Sequence, residues 1–290
     1  MPVIRLVLFL VCINFVSLVA EPIISLSSTN VKPGSTIKIH LKNRKPLQTC
    51  IIQFDQKNLT LFPKDAQHDQ FDGYIGISRF LTPGTYTLSV ITQTQTSLPE
   101  KIDIPITVLD GKFPHSHITL IGTKKALFEK EDQLSNEGKL IEKTFTILTP
   151  KLYFSGSFRK PASGKISAEF GAYRIYNQQK ETQRHAGIDI ANKINCPVMA
   201  ANTGKVVFAE ALQSHGNTII IDHGWGILSI YNHLNTILVT QNQTVKIGEK
   251  IGLMGSTGIS TGPHVHWGMS VQGTRVDPSP WITSTVLCTP

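Results

Sequence analysis

The sequence predicts a mainly β protein: an N-terminal β-sandwich, a connector with short helices, and a C-terminal antiparallel β domain. Two patterns predict this. Apolar and polar residues alternate with period two in short runs bounded by Pro-Gly and glycine turns, as in half-buried strands. Helical periodicity is confined to one modest stretch near the middle of the chain. At 290 residues there is room for one large domain or two ordinary ones. With 40% hydrophobic and 17% charged residues, a sizeable core is available and wholesale disorder is excluded. The 22 glycines and 16 prolines exclude a collagen-like chain, and 4 cysteines are too few for a disulfide framework.

Residues 1–20 have the shape of a secretory signal peptide. Arg5 is their only charge, Leu6 to Ile13 is unbroken apolar sequence, and Ala20 is a small exit residue. Asn14 and Ser17 interrupt a segment already short for a bilayer span. The expectation is therefore an exported protein of the periplasm or cell envelope, with no stable membrane span after signal cleavage. Losing Arg5 lowers the net charge from +8 to +7. A basic exported protein is drawn to anionic surfaces. Its basic residues are scattered without interleaved aromatics, which argues against nucleic acid as a partner. Cys50, Cys196 and Cys288 remain, and Cys196–Cys288 is the expected pair because both fall in one domain.

Residues 21–109 read as an Ig-like β-sandwich domain. Val31-Lys32-Pro33-Gly34 is a turn before the alternating run Thr36 to Leu41. Pro83-Gly84 precedes Tyr86 to Val90, and Ile102 to Leu109 alternates again. The immunoglobulin Cys…Trp…Cys spacing is absent. Residues 110–150 form the connector. Leu127, Leu134 and Leu140 suit short helices, and Gly138 argues against a long one. His115-Ser116-His117 opens this segment without nearby carboxylates and reads as exposed linker. From 151 to 290 the chain is strand-rich again. Val206 to Phe208, Thr218 to Ile221 and Ile227 to Tyr231 are β-like runs punctuated by glycines.

Three segments carry chemistry: Arg184 to Asp189, Tyr231 to Leu234, and Gly262 to Trp267. Alternate residues of a strand share a face, so His264 and His266 point the same way, and His185 and Asp189 can do likewise. Ile188, Ile190, Val265 and Trp267 then face the core. Imidazole and carboxylate are zinc ligands, and three of them plus a water make a catalytic rather than a structural site. Surplus histidines beside such a metal suit proton transfer. A lone His-x-x-x-Asp arises often by chance; the segments together, in an exported β-rich chain, favour a metal.

Residues 165 to 280 resemble the catalytic domain of the M23 family of zinc metallopeptidases, the lysostaphin- and LytM-like peptidoglycan endopeptidases. Phe170-Gly171, His185-Ala186-Gly187-Ile188-Asp189, Pro197-Val198-Met199-Ala200 and Gly204-Lys205-Val206 carry the resemblance. Ile221-Asp222-His223-Gly224, Tyr231-Asn232-His233-Leu234, Gly255-Ser256-Thr257-Gly258, Gly262-Pro263-His264-Val265-His266 and Val276-Asp277-Pro278 continue it in order. The β-sandwich resembles, more loosely, a module that precedes this domain in some bacterial members.

The resemblance implies Zn²⁺ held by His185, Asp189 and His266, with His233 and His264 as unligated active-site histidines. Such a zinc lowers the pKa of its water to about 7. It implies an exported zinc metalloendopeptidase that hydrolyses peptide crosslinks of peptidoglycan, of the D-alanyl–diaminopimelate type, with peptide stems as its partner. The alternative is a non-catalytic or auto-inhibited wall-binding or amidase-activating protein, with the N-terminal module or connector closing the cleft and a regulatory protein partner opening it. The family's glycine before Pro-Val is Cys196 here. Arg174, Tyr176 and Asn177 suit either contact with an anionic stem or a solvated loop. His223 and His215 read as structural and loop residues, and Tyr231 as core or site.

Overall fold

The computed structural model describes residues 22–64, 66–177 and 183–283. The expected signal peptide and Cys288 lie outside them. The architecture is mainly β, as the patterning predicts.

In the N-terminal module, one sheet runs in the order Ile23–Leu26, Thr36–Lys42, Gln70–Gly76, Phe62–Pro63. The other runs Asn30–Val31, Glu100–Val108, Gly84–Gln93, Thr49–Phe54, Lys57–Thr60. The alternating residues explain the packing. Ile37, Ile39 and Leu41 from the first sheet are fully buried, and they share one core with Leu88, Val90 and Ile106 from the second.

The C-terminal module is built on a sheet in the order Lys165–Ala168, Ile188–Ala191, His264–Val271, Ile227–Ile237, Gly216–Asp222, Gly204–Leu212, Thr244–Val245. Both of its faces are covered. Ile219, Ile221, Val265 and Trp267 enter one core, while Ile220, Leu228 and Ile230 enter another. This is why Ile219-Ile220-Ile221 is an unbroken apolar run instead of an alternating one.

The connector holds helix α1 (Gly122–Phe128) and helix α2 (Glu131–Thr144). A third helix, α3 (Ser279–Ile282), buries Trp281 near the end of the described chain. Helix α2 has no side-chain N-cap and runs through Gly138, so local propensity does little for it. Burial compensates. Ile141 and the flanking Phe145 pack on the second face of the sheet, and each such side chain contributes roughly 1.5–3 kcal/mol. The connector also contains a strand that the sequence reading left as linker: His115–Ile118 lies parallel to Tyr173–Tyr176. Its side chains are half-exposed, so it lacks an apolar stripe to reveal it.

Cys50 and Cys196 are free thiols, and Cys288, the expected partner of Cys196, lies outside the described residues. Among the described residues no helix is long and apolar enough to cross a membrane.

Candidate metal centre

Two adjacent strands bring the proposed ligands together. Ile188–Ala191 is antiparallel to His264–Val271, with Asp189 opposite His266 and Ala191 opposite His264. His185 precedes the first strand, tied by its amide to Ala172 O and by its carbonyl to Gly171 N, each at 2.9 Å. Gly187 lets the chain between His185 and Asp189 press against the neighbouring strand: a Cβ there would sit 2.4 Å from Trp267 O.

His185 Nε2, Asp189 Oδ1 and His266 Nδ1 form a triangle with sides of 2.9 to 3.1 Å. It is the one His/Cys/Asp/Glu cluster of this kind among the described residues, and all three side chains are buried. Tetrahedral ligands about 2.0–2.1 Å from a zinc ion lie roughly 3.3 Å apart, so the triangle needs to widen by only a few tenths of an ångström. The tautomers also suit a cation. His185 donates Nδ1–H to Glu169 O at 2.7 Å, which leaves a lone pair on Nε2. Burial lowers the pKa of His185 and pushes that of His266 down to about 3, so both imidazoles are neutral. Burial opposes ionisation of Asp189, but its close polar neighbours hold its carboxyl well below the usual carboxylate range. Two neutral nitrogens and a carboxylate oxygen, open on the cavity side, are the donor set of a catalytic zinc.

His233 reaches this cluster through a strand irregularity. In Ile227–Ile237, Tyr231 and Leu234 enter the core, while Asn232 lies opposite His266. Strict alternation would send His233 to the core. Instead the pairing with Gly216–Asp222 shifts between Asn217 and Ile219, and His233 has φ +64°. This bulge turns its ring to the cluster, with centroids 4.8 Å from His264 and 6.4 Å from His266. His233 donates Nδ1–H to Thr257 O at 2.8 Å, and His264 donates Nδ1–H to Gly262 O at 2.8 Å. Each therefore presents an unprotonated Nε2. Burial, then the neighbouring His264 and His266, keep the pKa of His233 well below the ordinary histidine value.

Arg174, read from the sequence as a contact for an anionic stem or a solvated loop residue, instead meets the cluster. It sits on Tyr173–Tyr176 and its Nη2 meets Asp189 Oδ2 at 2.5 Å, steering the other carboxylate oxygen toward the histidines. Asn177 faces elsewhere and accepts from the Leu120 amide at 2.8 Å. Tyr176 packs on Phe128 of α1, with centroids 4.6 Å apart. Tyr231 lies in the core, its hydroxyl accepting from Ala201 N at 2.9 Å. His223 is fully buried, bridging Thr203 O and Ser229 Oγ at 2.8 Å each. His215 is at the cleft rim, and its carbonyl accepts from His233 N at 3.0 Å.

The cluster lies between two cavities. One, of about 370 Å³, is walled by His185, His233 and His266, by α1 and α2, and by Arg79 and Phe80 of the N-terminal module. The other, of about 290 Å³, is bounded by His264, Asp189 and the strand carrying His117.

Residues 183–278 match the sequence profile of Peptidase family M23. Over 121 residues the chain is 38% identical to the peptidoglycan DD-endopeptidase ShyA of Vibrio cholerae, which covers 41% of this chain and 28% of that one. Over 123 residues it is 40% identical to the murein hydrolase activator NlpD of Escherichia coli, covering 42% of this chain and 30% of that one. The matched stretch thus spans less than a third of the length of these curated relatives. In fold, the chain is similar to a putative peptidase M23 from Pseudomonas aeruginosa: TM-score 0.63 at 24% identity, covering 86% of this chain and 93% of that one.

Proposed function

From the match of residues 183–278 to the profile of Peptidase family M23, we propose that the protein is an exported zinc-dependent endopeptidase that hydrolyses peptide crosslinks of peptidoglycan, of the D-alanyl–diaminopimelate type. The observation that carries this reading is the convergence of His185, Asp189 and His266 beside two further imidazoles in one cleft.

His185 Nε2, Asp189 Oδ1 and His266 Nδ1 would hold the metal, and the Glu169 carbonyl and Arg174 fix two of those side chains in place. When bound, zinc supplies Lewis acidity toward the scissile carbonyl and acidifies a water near neutral pH. His233 and His264 handle the protons. Their Nδ1 atoms are spent on Thr257 O and Gly262 O, so the free Nε2 of one of them takes the proton from water and the resulting imidazolium passes it to the leaving amine. Such general acid–base work contributes about 10²–10⁴-fold.

The test combines His266→Ala and His233→Ala with fragment mass analysis of digested sacculi. His266→Ala should lose both bound zinc and cleavage. His233→Ala should retain zinc while kcat falls by about 10²–10⁴. Sacculi left intact by the zinc-loaded wild type would refute the endopeptidase reading.

A second reading is a chain that is auto-inhibited or works as an amidase activator. It draws support from the connector helices that wall the same cavity as the histidines, and from the similarity to an activator.

A further inference from the structure

The larger cavity is rich in arginine. Arg79, Arg174, Arg184 and Arg275 all line it, and among its described lining residues Glu142 is the sole carboxylate. Arg174 is committed to Asp189. Arg275 is buried, stacked 3.8 Å from the Phe145 ring, and meets Glu142 Oε1 at 3.2 Å through Nη2. Arg184 lies 4.5 Å over the Tyr173 ring, donates to Tyr173 Oη at 2.7 Å, and donates to the carbonyl of Arg79. These contacts fix two guanidiniums. The third, Arg79, rests 4.4 Å over Phe80, and its Nε is buried with no hydrogen-bond partner among the described residues.

Three positive groups therefore share one exposed carboxylate, whose hydrogen bonds go to Arg275. Burial, and then the charge of Arg275, pull the pKa of Arg79 down to about 10, as expected for a cation short of counter-charge. Arg79 lines the cavity, and a guanidinium is shaped for a planar, bidentate anion. An anion seated on Arg79 would share the cavity with the proposed ligands His185 and His266. A peptide stem of a crosslink carries such free carboxylates.

We propose that Arg79, held against Arg184 and backed by Arg275, forms a carboxylate-binding subsite that receives a free carboxylate of the peptide cut at the His185–Asp189–His266 centre. The N-terminal module thereby contributes a specificity residue to the peptidase cleft. This proposal rests on the endopeptidase reading above. The role of Arg79 is to orient substrate; it handles no proton.

The full-length, zinc-loaded protein is assayed on a soluble crosslinked stem-peptide dimer, once with free carboxylates and once with those carboxylates amidated. Wild type should favour the free acid in kcat/KM by about ten- to a hundred-fold, the scale of charge-assisted hydrogen bonds. In Arg79→Ala that ratio should fall to about one, with zinc content unchanged. Arg79→Lys, which keeps the charge and loses the fork, should lie between. Equal rates on both forms in wild type, or an equal loss on both in Arg79→Ala, would overturn the subsite. A wild type that cuts neither dimer speaks against the endopeptidase reading instead. Calorimetric binding of the free and amidated stem tetrapeptide then decides: tighter binding of the free acid, lost in Arg79→Ala, supports the subsite, and no difference overturns it. Inorganic phosphate is titrated in parallel, and tighter binding of phosphate than of the tetrapeptide also overturns it.

Discussion

His223 shows how one buried side chain sets a pH dependence. It is fully enclosed, with both ring nitrogens hydrogen-bonded, and burial lowers its pKa from 6.5 to about 4. Between those two values the unfolded chain binds a proton that the folded chain refuses. Its stabilisation is complete above pH 6.5 and is lost as the pH falls toward 4, a change of about 3 kcal/mol. Urea unfolding at pH 7 and pH 4.5 should show the loss, and His223→Gln should flatten the slope. The convergence of the proposed ligands was legible from the spacing of His185 and Asp189 and from the alternation that puts His266 on the same face as His264. His233 was legible as a motif but not as geometry: its bulge depends on the register between two strands, which a single strand's alternation does not encode. The pairing of Arg174 with Asp189 gave no signal, since the two are 15 residues apart and the contact is purely tertiary.

The connector helices are tied to the rim of the cleft. Lys124 of α1 donates to Ser256 O at 2.8 Å and also to Gly258 O, gripping the loop whose Thr257 carbonyl holds His233. Glu137 of α2 accepts from Gln213 N at 2.6 Å and Ser214 N at 2.9 Å, beside the rim residue His215. Glu137→Ala removes charge-assisted bonds of about 1.5–3 kcal/mol each. If the helices restrict entry, this variant should cleave crosslinks several-fold faster, with quicker amide exchange across 131–144. Faster exchange without faster cleavage would count against occlusion. The helices themselves were foreseen from Leu127, Leu134 and Leu140. The length of α2 was not, because burial of Ile141 and Phe145 outweighs Gly138, whose missing side chain meets no atom within 4 Å and costs no packing.

On the scale of the whole molecule, the two modules meet along a polar and aromatic seam. Gln272 donates to Thr60 O at 3.0 Å and Tyr74 O at 3.1 Å and accepts from Thr60 N at 2.8 Å. Phe62 stacks on Trp225 with centroids 5.3 Å apart. Gly34, at φ +88°, leaves room for the Phe170 ring and accepts from Asp277 N at 2.8 Å. None of these contacts was legible in the chain, since each joins residues remote in sequence and the separate patterns of the two modules say nothing of their docking. Tyr74 of the sandwich belongs to the same buried cluster as Trp281 and Trp267 of the C-terminal module. A shared interior of this sort leaves neither half free to melt while its neighbour stays intact. Scanning calorimetry should record one endotherm for both, and Gln272→Ala should move that single peak to lower temperature without splitting it.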